Sequence, residues 1–108
     1  MSQGESKLSR AIMDAIRARG GFAFKIHGSA TMMVGLPDVC ACYRGFFMAL
    51  EIKMLEGGDA EPAQRLRIRQ IRAAGGISYV VRSVRDARRV MDAIDRKIDL
   101  GASEPVGG

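Results

Sequence analysis

The sequence predicts a single α/β domain in which helices flank a four-stranded mixed sheet. Two apolar runs joined by Arg44-Gly45 indicate a β-hairpin. A helix and a further strand follow it, which is typical of a parallel, right-handed βαβ crossover. The chain of 108 residues is long enough for one modest core. We therefore expect one domain over residues 1–98 and a flexible tail over residues 99–108.

The first half of the chain predicts a helix, a strand and the hairpin. Residues 5–19 form the helix, because apolar residues recur at helical spacing until Gly20-Gly21 ends the pattern. Residues 22–26 form the first strand. A loop over residues 28–34 leads into the hairpin. The hairpin strands lie near residues 37–43 and 46–53.

The second half predicts a helix, the last strand and a final helix. Pro62 suits the first turn of a helix that runs to Ala74, where Gly75-Gly76 ends it. Residues 77–82 form the fourth strand. The segment Ser83-Val-Arg-Asp86 has the spacing of a capping box and opens the third helix, which runs to about Ile98. The element order is α-β-β-β-α-β-α.

The two-residue turn of the hairpin fixes which residues face each other, with Gly45 supplying a positive φ. The expected pairs are Tyr43 with Phe46, Cys42 with Phe47, Cys40 with Ala49, and Asp38 with Glu51. Two carboxylates directly across a strand pair repel each other and cost stability. Lys53 lies on the same face as Glu51, one step further along. This cluster is unfavourable for structure alone, but it suits a divalent metal held beside a phosphate.

These residues also carry a resemblance to a known family. The segment Gly35-Leu-Pro-Asp38 followed by Glu51-Ile-Lys53 resembles the signature of the PD-(D/E)XK nucleases. The surrounding pattern is similar to the VRR-NUC family of that superfamily over roughly residues 5–95. The resemblance implies a restriction-endonuclease-like core with the element order already derived from the pattern.

The resemblance implies a metal site and a catalytic lysine. Asp38 and Glu51, with the backbone carbonyl of Ile52, would bind Mg²⁺ or Mn²⁺, since such cations prefer oxygen ligands. Lys53 would orient the attacking water or stabilise negative charge on the phosphorane. From the residues alone, the alternatives are a turn residue at Asp38 and an exposed edge charge at Lys53. The opposition of Asp38 to Glu51 and the sheet face that Lys53 shares with Glu51 favour the site instead.

Further candidates lie outside the central motif. Glu5 heads the apolar stripe of the first helix, where it is either a third acidic group of the site or a carboxylate stabilised by the helix dipole. Gln64 heads the stripe of the second helix, and the resemblance implies that it positions lysine, water or phosphate. Lys25, His27 and Ser29 are weaker candidates for contacts with DNA phosphates.

Charge and composition favour an anionic partner. The net charge is +5 and the pI is about 9.8, which suits nucleic acid, although a well-solvated surface has the same composition. Cys40 and Cys42 are expected to be ordinary core residues in a reducing compartment. No apolar stretch approaches a membrane span, and the N-terminus lacks the apolar region of a signal peptide. We therefore expect a cytoplasmic protein, in the host cell if it is phage-encoded.

The function that follows is a metal-dependent, structure-selective DNA endonuclease. Small standalone proteins of the family resemble Holliday-junction resolvases and are associated with phage, so branched DNA is the expected substrate. The alternative is a non-catalytic DNA-binding or assembly module that retains the fold. A homodimer is expected, because a two-fold axis matches a four-way junction. Residues Met32, Met33, Val34, Met91 and Ile94 either form its interface or complete the monomer core.

Overall fold

The computed structural model describes residues 2–28 and 32–103. The predicted order of three helices and four strands is confirmed. The elements are α1 (Gln3–Ala18), β1 (Phe22–Lys25), β2 (Val39–Tyr43), β3 (Phe46–Ile52), α2 (Pro62–Ala73), β4 (Ile77–Val81) and α3 (Val84–Ser103).

The sheet has the strand order β1-β2-β3-β4, in which only the β3–β4 pair is parallel. The β2–β3 connection is a two-residue turn in which φ is 49° at Arg44 and 84° at Gly45. Positive φ at both positions matches the twist of the flanking strands. The turn therefore sets the predicted register, and Cys40 lies opposite Ala49.

One face of the sheet packs against α1 and α3 and forms the main core. Alternate residues of β3, namely Met48, Leu50 and Ile52, are fully buried there. Met91 and Ile94 from α3 belong to the same cluster. The suggestion that these two residues lie in a dimer interface is therefore wrong, because they complete the core of the monomer.

The other face of the sheet is covered by α2 over β3 and β4 only. Ile68 of α2 is buried on this side. The part of this face on β1 and β2 stays open, so that Phe22 is 67% exposed and Cys42 is exposed. Cys40 is a core residue as expected, but the same expectation for Cys42 is wrong because no helix covers it.

The last helix continues past Ile98, where the sequence pattern placed its end, to Ser103. Gly101 near the end does not stop it, because a glycine in a helix costs only about 1 kcal/mol. Residues 104–108 of the expected tail lie outside the described residues, as do Ser29 and Thr31 of the loop before β2. Among the described residues, none of the helices has the length and apolar character needed to span a bilayer.

Gly35 allows the Gly-Leu-Pro-Asp segment to lie directly against α2. Its φ is +82°, and an added Cβ would lie 2.6 Å from both the carbonyl carbon and the carbonyl oxygen of Ala63. Only glycine satisfies both conditions without strain. The close approach brings the first turn of α2 beside the chain that enters β2 at Asp38.

We expect Gly35→Ala to lower the free energy of unfolding by about 1–3 kcal/mol, since it strains the backbone and collides with α2. Urea denaturation followed by circular dichroism measures this loss. Gly28→Ala is the matched control, because its added Cβ meets no atom within 4 Å and its φ is not in the left-handed region. Equal effects of the two substitutions would contradict the packing role of Gly35.

Candidate active site

Asp38 is fixed at the open end of the hairpin by backbone hydrogen bonds. The last paired residues of β2 and β3 are Val39 and Leu50, and Asp38 lies one step beyond them. The N–H of Ile52 donates to Asp38 Oδ2 at 2.9 Å, and the N–H of Ile26 donates to the Asp38 carbonyl at 2.8 Å. These bonds hold Asp38 beside Glu51, the residue that the register places opposite it.

Glu51 is a buried carboxylate with one oxygen left unpaired. Its side chain is 2% exposed. Oε1 accepts a hydrogen bond from Gln64 Nε2 at 2.9 Å and lies 3.9 Å from Lys53 Nζ. Oε2 is buried without a hydrogen-bond partner. A buried polar atom without a partner is costly, so its presence here indicates a ligand or a catalytic role.

The surroundings of Glu51 favour its protonated form. Burial and, after it, the negative charge of the neighbouring Asp38 raise the pKa of Glu51 to about 8, while the charge of Lys53 opposes the rise. Two carboxyl groups that share a site cannot both ionise easily. At neutral pH the pair therefore holds a proton that a cation in the same place would displace.

Gln64 joins the start of α2 to Glu51. Its Oε1 accepts a hydrogen bond from the backbone N–H of Glu61 at 2.8 Å, and its Nε2 donates to Glu51. The same side chain thus caps α2 and fixes the orientation of the buried carboxylate. Pro62 begins the helix directly after Glu61, so the position of Gln64 follows from where α2 starts.

Glu5 lies near enough to Glu51 to act on its charge, and it is hydrogen-bonded to the residue that caps α1. Ser2 caps α1, its Oγ accepting from the Glu5 N–H at 3.1 Å and donating to Glu5 Oε1 at 3.2 Å. The charge of Glu5 adds slightly to the rise in the pKa of Glu51. Across residues 2–28 and 32–103, no group of three or more His, Cys, Asp and Glu side chains could hold a metal. The structure therefore brings two carboxylates together, and a role for Glu5 as a third acidic group stays a prediction.

Of the candidate phosphate-binding residues, the structure places Lys25 away from the carboxylates. Lys25 is paired with Val39, whose side chain lies in the core on the α1 side, so strand alternation places Lys25 on the face opposite Glu51. His27 is exposed in the segment after β1. Ser29 lies outside the described residues.

Arg82, which the sequence indicated only as the end of a strand, organises the loop after Lys53. Its guanidinium donates to the carbonyls of Met54 at 2.9 Å, Gly57 at 3.1 Å and Gly58 at 3.3 Å. The sequence could have indicated this role. Arg82 follows a strand predicted to run parallel to β3, and parallel strands end at the same edge of a sheet.

A cavity of about 240 Å³ opens beside Asp38. Among its lining residues in the described part of the chain, Asp38 alone has an ionisable side chain. No pattern in the sequence predicts this cavity, since its walls come from the segment after β1 and from the loop before β2. Its lining residues are Ile26, Gly28, Met32, Met33, Val34, Gly35, Leu36 and Asp38.

No protein-family model matches the chain, and no curated protein matches it. Solved structures do match it. A structure described as a VRR_NUC domain has a TM-score of 0.70 at 22% identity, covering 84% of this chain and 97% of the other. A VRR_NUC domain protein has a TM-score of 0.67 at 19% identity, covering 93% and 92%.

The chain has the VRR-NUC fold. The resemblance seen in the sequence is therefore confirmed for the architecture, including the restriction-endonuclease-like core. The chain is also similar in structure to Hjc of Archaeoglobus fulgidus, a Holliday junction resolvase from an archaeal hyperthermophile. That structure has a TM-score of 0.58 at 18% identity, covering 72% of this chain and 67% of Hjc.

We expect the metal-free protein to lose stability as the pH rises from about 5 to about 8. Glu51 has a pKa of about 8 when folded and 4.5 as its ordinary value. The folded state thus binds the proton more tightly, and the unfolding free energy falls over this range. Urea denaturation with a chelator should show a fall of more than about 1 kcal/mol.

Glu51→Gln should remove most of this pH dependence, because glutamine does not titrate. Glu56→Gln, at an exposed position in the loop after β3, should keep the wild-type profile. A Glu51→Gln profile as steep as that of the wild type would show that another group is responsible.

Proposed function

We propose that the chain is a metal-dependent nuclease that hydrolyses phosphodiester bonds in DNA. The observation that carries the proposal is the buried Glu51 carboxylate, held beside Asp38 with Oε2 unpaired. Lys53 and Gln64 both approach its other oxygen. This arrangement lies in a fold shared with VRR_NUC domains and with a Holliday junction resolvase.

The residues fit a hard divalent cation such as Mg²⁺ or Mn²⁺. Glu51 Oε2 is an acceptor without a donor, and Asp38 supplies a second carboxylate next to it. With the backbone carbonyl of Ile52 they would hold the ion, while waters complete its shell. When bound, the cation would polarise the scissile phosphate and make a water molecule more acidic.

The remaining side chains prepare the site for the attack on phosphorus. Gln64 holds the Glu51 carboxylate in one orientation through its bond to Oε1. Lys53, with a side chain 19% exposed, reaches both the buried carboxylate and the open side of the site. It is placed to orient the attacking water or to neutralise negative charge on the phosphate. Glu5 would serve as a third acidic group, directly or through water.

The net charge of +5 supports a DNA partner, because cationic side chains neutralise phosphates and release counterions. Exposed His27 is available for a phosphate contact, and Lys25 and Ser29 remain candidates for that role. We infer branched DNA as the preferred substrate from the fold that the chain shares with Hjc, a Holliday junction resolvase.

A homodimer is part of the proposal, and the open sheet face is its interface. This open face consists of Phe22, Phe24, Cys42 and Phe47. The rings of Phe22 and Phe24 lie 5.9 Å apart and are 67% and 46% exposed. Contiguous exposed apolar surface of this kind marks an interaction site. None of the four residues is charged, so two copies can meet there without repulsion.

The opposite edge of the sheet suits a dimer less well. A groove of about 300 Å³ between β4 and α3 is lined by Arg89 and Lys97, among apolar residues. Arg72 also stacks over the Tyr79 ring at 4.4 Å. Two copies facing each other there would bring these cations together, which costs affinity.

We expect Asp38→Asn and Glu51→Gln each to reduce magnesium-dependent cleavage of a four-way junction by at least about a hundredfold. A bound cation contributes several kcal/mol to such a reaction, and each 1.4 kcal/mol is about tenfold in rate. Lys53→Ala should cause a similar loss while the affinity for Mn²⁺ in calorimetric titration is retained. The readout is strand cleavage on denaturing gels.

The exposed carboxylates Asp14 and Glu56 provide matched controls, and Asp14→Asn and Glu56→Gln should cleave at the wild-type rate. Near-normal cleavage by either active-site variant would mean that the metal site is wrongly assigned. If the wild type binds junctions but cleaves no substrate of a duplex, flap and junction panel, the chain is the non-catalytic DNA-binding module.

We expect Phe22→Glu to convert the dimer into a monomer at micromolar concentration, as measured by sedimentation. The substitution places a charge on the open face, where burial in a dimer would penalise it. Leu55→Glu is the control, because Leu55 is 78% exposed but lies in the loop after β3. A wild-type protein that sediments as a monomer would rule out the dimer and leave the nuclease assignment intact.

A further inference from the structure

We propose that the cavity beside Asp38 receives an unstacked nucleobase from the nucleotide next to the scissile phosphate. This inference rests on the proposed nuclease function, because it places the phosphodiester at Asp38 and Glu51. It names a recognition site, and with it a physical origin for selectivity towards branched DNA.

The lining of the cavity selects an uncharged, flat group. Apart from Asp38, its side chains are aliphatic or methionine, with no cation among the lining residues that the structure describes. A phosphate would find no cationic partner among these described residues and would meet the Asp38 carboxylate. The volume of about 240 Å³ lies below the ~300–1,000 Å³ of pockets for drug-sized ligands, so it suits a single ring system.

The outer wall of the cavity exposes apolar surface that the monomer does not use. Met33 is 57% exposed and Val34 is 71% exposed. Exposed apolar side chains of this kind can enter between base steps in DNA-binding proteins. Methionine adapts its shape and has a polarisable sulfur, which suits contact with the face of a base.

The wall is anchored to the helix that also orients Glu51. Arg67 Nε of α2 donates to the Val34 carbonyl at 2.8 Å, and Gly35 lies against Ala63 of the same helix. Gln64, one residue after Ala63, binds Glu51. The cavity and the carboxylate pair therefore keep a fixed relation, so a base in the cavity positions its own phosphate at the site.

The position of the cavity excludes a second copy of this chain as its occupant. Asp38 lines the cavity, so a protein seated there would cover the carboxylate that the substrate must reach. The dimer face is centred on Cys42, about 13 Å away along β2 at roughly 3.3 Å per residue. A base that is already unpaired, as at a branch point or flap, enters most easily because a paired base must first be unstacked.

The test compares cleavage of flaps and junctions that carry either a normal base or an abasic residue next to the mapped cleavage position. The wild type should cleave the substrate that carries the base at least about fivefold faster than the abasic substrate, because stacking of one base contributes about this much binding energy. The double variant Met33→Ser/Val34→Ser should cleave the two substrates at similar rates. The Leu55→Ser control, at another exposed apolar position, should keep the preference of the wild type. Equal wild-type cleavage of the two substrates overturns the cavity proposal and leaves the nuclease assignment standing.

If the wild type cleaves nothing, the proposed function fails and a binding measurement decides the inference. A junction carrying 2-aminopurine at the branch point is titrated with protein in calcium. A fluorescence change that Met33→Ser/Val34→Ser reduces at least about fivefold, but Leu55→Ser does not, supports base capture. The same change in all three proteins, or no change with the wild type, overturns it.

Discussion

The opposition of Asp38 and Glu51 at the open end of the hairpin is the constraint on which the site depends. The Arg44-Gly45 turn, with positive φ at both residues, sets the register of β2 and β3. A slip of one residue would move Glu51 into the core and bring apolar Leu50 to the site. A turn distant from the carboxylates therefore fixes the position of both.

The fold tolerates this unfavourable pair because its stability comes from elsewhere. The face of β3 that carries Met48, Leu50 and Ile52 is fully buried by α1 and α3. On the other face, Glu51 is buried without a full set of hydrogen-bond partners, which costs stability. Gln64 and Lys53 offset part of that cost, and a cation would offset more. Functional sites commonly carry such local costs.

The sequence predicted the features that depend on local spacing. The turn, the register and the alternation of Glu51 with Leu50 all follow from a few consecutive residues. The sequence did not predict which parts of the sheet the helices cover, because helix docking is a long-range property. Hence Cys42 proved exposed and Met91 buried. The unpaired Glu51 Oε2 and the cavity at Asp38 arise where α2 and the loop before β2 meet, so no local pattern encodes them.

The open apolar face and the cavity at Asp38 have one cause, which is that α2 covers only part of the sheet. Because α2 lies over β3 and β4, the neighbouring part of β1 and β2 stays open along its length. At the hairpin end this opening exposes Phe22 and Phe47, which are apolar and uncharged. At the other end it exposes Asp38 and the cavity beside it. Self-association and substrate binding can therefore use the same face of the sheet without competing, since they occupy opposite ends of the same strands.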